Sequence, residues 1–250
     1  MEINAEYADK IDWGYFQENS NDNMINYIIK NPTIINLYHI SKNINDRVVD
    51  YLIEYPKFII WSIFCENSND KAVEYALKNN PIIYYTGFSK NTNDKAVLYM
   101  LQRVNEIDWD SFSKNHNIYA VNYLLNNTNK IIWNSFSKNT SNMAVQYLLQ
   151  NKEYIHWHEF SKNINDIAVH FLLKNIDKID FSKFSENSNN NAVKYMLENP
   201  EKIDWCSFSC NENESAVEYL LQNPEHINWD MLSKNKTFYN YIFYEEIVLK

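Results

Sequence analysis

The chain has 250 residues, a net charge of −9 and only two arginines, Arg47 and Arg103. An acidic balance with so few arginines argues against generic nucleic-acid binding, which needs a basic face. Three scattered cysteines give no disulfide framework, no run approaches the ~18 apolar residues of a membrane span, and residues 1–10 lack the apolar core of a secretory signal. These features predict a soluble, non-secreted protein of a reducing compartment, with no membrane partner.

Residues 1–10 stand before the first repeat and are expected to form an N-terminal cap. From Ile11 onward the chain repeats itself every 24 residues without insertion or deletion, each unit opening on Ile: Ile11, Ile35, Ile59, Ile83, Ile107, Ile131, Ile155, Ile179, Ile203 and Ile227. A fixed period of this length is the mark of a solenoid. Residues 11–234 therefore form the repeat domain. The tenth copy degenerates after its first half, so 235–250 is expected to be a C-terminal cap.

Numbering the columns of the unit from each Ile, column 3 holds all seven tryptophans, from Trp13 to Trp229, and column 6 is Phe in eight copies. Columns 3, 6 and 7 share a narrow helical face. With Asp or Asn as an N-cap in column 2 (Asp108, Asp204), columns 3–8 predict a short helix, α or 3-10. The tryptophans are expected between successive repeats. Column 11 is a capping residue in every copy, and the Ala-Val-x-Tyr-Leu-Leu run behind it predicts a longer α-helix over columns 12–20. Its apolar arc is wide enough to touch a neighbour on each side, leaving columns 12, 13, 16 and 20 outward.

The stops need another explanation, because the chain has two glycines. Column 9 is Asn in all ten copies: Asn19, Asn43, Asn67, Asn91, Asn115, Asn139, Asn163, Asn187, Asn211 and Asn235. Asn tolerates the left-handed conformation of a helix C-terminus, and column 21, Asn in seven of nine complete copies, reads the same way. Ten of ten is stricter than a stop requires. The column 9 amides are expected to bond backbone of the same or the next repeat as a structural ladder. The fold class is all-α: an α-solenoid of ten helix pairs, stacked 8–10 Å apart into a rod of roughly 80–90 Å.

The alternation of short and longer helices is similar to leucine-rich-repeat-variant solenoids, although the Pro and Arg positions of that family are missing. The run Trp133-Asn134-Ser135-Phe136-Ser137-Lys138-Asn139, like Trp205 to Asn211, more closely resembles the Ile-Asp-Trp-x-x-Phe-Ser-x-Asn tandem repeats of proteins from mimivirus-like, amoeba-infecting giant viruses. That resemblance implies an interaction scaffold in the infected cell or the virion. It brings no activity with it.

No catalytic, cofactor or metal set converges in the sequence. Cys206 and Cys210 stand one turn apart, yet no further ligand lies near them, and His156, His158, Glu159 and His170 lack a nucleophile. Four Asn-x-Ser/Thr sequons, at Asn126, Asn139, Asn213 and Asn235, are expected by chance in so Asn-rich a chain. Two surfaces remain. Lys90, Lys114, Lys138 and Lys162 follow one another in column 8 and could track a phosphate backbone. Column 13, otherwise polar, becomes Tyr119, Met143 and Ile167, with Ile118 beside Tyr119 and Leu98 in column 16 one repeat earlier. The expected function is a non-enzymatic scaffold binding a protein through that apolar stripe, or a second copy as a homodimer. Nucleic-acid binding along the lysines and a structural role in the virion are the alternatives.

Overall fold

The computed structural model describes residues 10–19, 22–31, 33, 35–79 and 84–241. Residues 1–9 and 242–250, and with them most of both expected caps, lie outside these, as do Asn21 and Pro32. The described residues form helices and no strands. The short helices are α1 (Trp13–Phe16), α3 (Leu37–Lys42), α5 (Trp61–Phe64), α7 (Tyr85–Lys90), α9 (Trp109–Lys114), α11 (Trp133–Phe136), α13 (Trp157–Phe160), α15 (Phe181–Ser185), α17 (Trp205–Phe208) and α19 (Trp229–Leu232). The long ones between them are α2 (Asp22–Lys30), α4 (Asp46–Glu54), α6 (Asp70–Asn79), α8 (Asp94–Leu101), α10 (Ile118–Asn126), α12 (Asn142–Gln150), α14 (Asp166–Lys174), α16 (Asn190–Glu198) and α18 (Glu214–Gln222). Both periodicities thus give the helices expected of them.

A third element was not expected. Columns 22–24 wind into a 3-10 turn in most repeats, for example Pro56–Phe58, Thr128–Lys130 and Pro200–Lys202. Nor do the stops use left-handed backbone: no described residue, glycine included, has positive φ. Asn127 and Asn199, in column 21, sit near φ −138°, ψ 58° and φ −133°, ψ 61°, and each turns its Nδ2 back to the carbonyl of column 17 at 2.8 Å. The side chain satisfies a helix-end carbonyl directly, so no left-handed turn is required.

The core is a continuous column of fully buried side chains: Phe from column 6, Ala and Val from columns 14 and 15, and Leu or Met from column 18. The tryptophans lie outside it. Trp61, Trp109, Trp133 and Trp205 are half-buried and stack face to face on the column 17 Tyr of their own repeat, with centroids 6.0–6.1 Å apart. The other indole face takes a column 24 side chain of the same repeat: Lys130 over Trp109, Tyr154 on Trp133, His226 on Trp205. The expectation that Trp fills the space between repeats is corrected here. Its rings stack within their own repeat, and the fully buried aromatic is Phe, smaller and without a polar N–H.

The stack is not an open rod. The tenth repeat packs against the first: Asn19 Nδ2 donates to Lys236 O at 2.8 Å, Phe16 meets Tyr239 edge-on at 5.5 Å, and the Tyr239 hydroxyl reaches Asp12 O at 2.9 Å. Lys10 lies over Trp229, 5.5 Å from the ring, so a residue preceding the first repeat fills column 24 of the tenth. Ten repeats, each seated on the next and the last on the first, make a closed ring. Per-repeat rotation decides between rod and ring, and a letter pattern does not state it.

Candidate interaction surface

Three rows of side chains join each repeat to the one before it. The innermost is the column 9 Asn, buried in every copy. From Asn43 to Asn235, Nδ2 donates to two carbonyls of the preceding repeat, column 7 at 2.8–3.3 Å and column 9 at 2.7–3.0 Å. Oδ1 accepts the amide two residues on, at 2.9–3.0 Å. With Asn19 on Lys236 O, the row runs round the whole ring.

The second row is column 7, which the sequence presents only as small. Ser137 Oγ donates to Trp133 O at 2.9 Å and accepts from His156 N of the next repeat at 2.9 Å. Ser41, Ser161, Ser185 and Ser209 do the same. Gln17 replaces Ser in the first repeat and reproduces both bonds with its amide. The third row is column 11, where Asn93, Asn117, Asn165, Asn189 and Asn213 cap their own helix and donate to column 10 and column 12 of the repeat before. Among the described residues no buried side-chain polar atom lacks a partner. The interior polar groups are therefore engaged within the fold.

On the outer face, column 13 of one repeat meets column 16 of the repeat before. Arg47 donates to Asn26 Oδ1 at 3.0 Å, Lys71 to Asp50 Oδ1 at 2.8 Å, and Lys95 pairs with Glu74. The hydrogen bonds to Asp50 and Glu74 raise the two lysine ammoniums above their ordinary value. The next pair in this register is Leu98 with Tyr119. A polar seam gives way there to three apolar side chains, Leu98, Ile118 and Tyr119, which are 42%, 50% and 43% exposed. Met143 and Ile167 do not continue the stripe at full width: both are half-buried and pack against the core. The patch is accordingly centred on α8 and α10.

The column 8 lysines are exposed but each has a carboxylate partner. Lys90 meets Glu66 at 2.7 Å, Lys114 meets Asp110 at 2.7 Å, Lys138 meets Glu159 at 2.9 Å, and Lys162 pairs with Glu186. Burial alone would raise the Glu186 carboxyl, yet Lys162 and Lys183 hold it below the usual range. A phosphate arriving here competes with carboxylates already in place. The histidine set does not converge either: His158 Nδ1 is 2.7 Å from Asp180, Glu159 belongs to Lys138, and His156 and His170 are exposed. Cys206 is exposed, Cys210 is half-buried with its thiol pushed up by burial, and Cys65 lies in the core. No group of three or more His, Cys, Asp or Glu among the described residues is placed to hold a metal. Of the sequon asparagines, Asn139 and Asn235 are buried in the ladder.

Among the described residues no helix is long and apolar enough to cross a membrane. No protein family, curated protein or solved structure matches the chain.

Proposed function

We propose that this protein is a non-enzymatic interaction scaffold, a closed ring of helical repeats that holds a protein partner on the outer face of α8 and α10. One observation carries the reading. The inter-repeat pair of columns 13 and 16 is polar or ionic at Arg47, Lys71 and Lys95, then becomes exposed and apolar at Leu98, Ile118 and Tyr119. Contiguous exposed apolar groups on an otherwise charged surface mark interaction sites. The resemblance to giant-virus repeat proteins suggests the infected cell, or the virion, as the place of work.

The test is a surface variant, Leu98→Lys with Ile118→Glu and Tyr119→Lys, used as bait beside wild type in infected-cell extract. Because none of the three is buried, helical content and melting should be kept while the bound partner is lost. Retention of the same partner by a folded variant would move the interface elsewhere. Capture of nucleic acid, released steeply between low and moderate salt, would favour the lysine row instead.

A further inference from the structure

The seam between the tenth and first repeats does not copy the other interfaces. Its Asn link runs from Asn19 to Lys236 O, one residue beyond the usual register. Ser233 Oγ donates to Asp230 O at 3.2 Å, where its counterparts donate to the column 3 carbonyl and accept an amide of the next repeat. Lys236 and Gly14 occur nowhere else in their columns, and Tyr239 and Glu18 add contacts of their own. The Tyr239 hydroxyl lies between Ser233 O and Asp12 O, sharing one proton between two carbonyls across the seam. Glu18 is 6% exposed and is held from both sides: His39 Nδ1 at 2.7 Å and Lys42 at 3.4 Å from the second repeat, Lys236 at 3.3 Å from the tenth. Gly14 makes this arrangement fit. A Cβ there would stand 2.6 Å from His39 Nε2 and 2.8 Å from its Cδ2, displacing the imidazole that donates to Glu18.

Covalent continuity separates this junction from the rest. Each interior interface joins repeats that the backbone also joins, so separated neighbours stay tethered over a few residues and reclose. The seam has no such tether among the described residues, with Lys10 on one side and Tyr241 on the other. A nearest-neighbour solenoid opens where one interface can be lost without disturbing others.

We propose that the seam is a reversible clasp: the ring opens between its tenth and first repeats while the interior interfaces stay shut, and Glu18 with Tyr239 hold it closed. Charge and a shared hydroxyl, added to the Asn19 bond, make the closure sensitive to single groups. Removing Lys236 leaves a desolvated carboxylate with less compensation on the tenth-repeat side.

The experiment is single-molecule energy transfer between dyes on Lys30→Cys and Lys234→Cys, both exposed positions, with Cys206 and Cys210 replaced by Ser. The parent should give a dominant high-transfer population. Lys236→Glu, which sets a second carboxylate against Glu18, should enlarge the low-transfer population by about tenfold or more at unchanged helical circular dichroism. Adding Glu18→Gln to Lys236→Glu should recover part of the closed state. Tyr239→Phe removes one hydroxyl without changing volume and should open the ring to a lesser degree. Lys90→Glu, the same charge reversal at an interior interface, should leave transfer unchanged. The clasp is overturned if the parent already shows low transfer, if neither Lys236→Glu nor Tyr239→Phe changes it, or if transfer falls only together with helicity.

Discussion

An asparagine in column 9 uses both ends of its amide, and its backbone stays at ordinary negative φ, near −67° at Asn43 and −69° at Asn115. Glycine would therefore gain nothing from conformational freedom and would lose three hydrogen bonds. Asn139→Gly should cost about 1–3 kcal/mol, because two buried carbonyls and one half-buried amide lose their partner. Asn139→Asp, nearly identical in shape, should cost at least as much, since a carboxylate oxygen would face the Ser113 and Asn115 carbonyls. Urea denaturation of both variants decides; a midpoint equal to wild type for either would remove the ladder's energetic role. Glu18 carries a pH signature of its own. Burial pushes its carboxyl up, but the His39 hydrogen bond and the Lys42 and Lys236 charges outweigh burial and leave it below its ordinary 4.5. A depressed carboxyl stabilises the fold fully above that ordinary value, and the contribution fades as pH falls through the lower folded value. The stability gap between wild type and Glu18→Gln should accordingly be constant near neutrality and close on acidification below 4.5. A gap that instead widened in acid would reverse the assignment.

Among the elements, the helices were legible because ten copies of one 24-residue unit average out local exceptions, so both the caps and the apolar faces stand clear of noise. The 3-10 turn of columns 22–24 was not, since Pro-Lys-Phe, Val-Asn-Glu and Thr-Asn-Lys share no pattern. Column 3 shows a different limit. Trp and Phe recur with equal regularity, and periodicity does not say which of two aromatics enters the core. Burial now ranks them: Phe136 is fully buried and Trp133 is half-buried. Phe136→Ala should cost about 3–5 kcal/mol and Trp133→Ala should fall below it. Phe16 is as fully buried as Phe136, although it belongs to the first repeat. In a closed ring Phe16→Ala should match Phe136→Ala, whereas a frayed end would tolerate it. Equilibrium unfolding of the pair distinguishes the two, and a clearly smaller loss at Phe16 would argue for an open stack. The same letters placed the apolar stripe, but not its width: Tyr119 is exposed as column 13 suggests, while Met143 and Ile167 turn half inward.

For the molecule as a whole, closure turns the number of repeats into a geometric quantity. Ten equal steps that return to their start share a full revolution, about 36° each, as solenoid curvature accumulates from small per-repeat rotations. Excising one complete unit, such as residues 131–154, from an open stack would merely shorten it and leave every remaining interface as it was. Here the remaining nine would each have to bend by roughly 4° more, or the circle would fail to meet. A protein of this kind cannot lengthen or shorten by unequal recombination one unit at a time without passing through a strained or gapped intermediate. Copy number, ordinarily the most freely drifting property of a tandem array, becomes here a trait under structural selection.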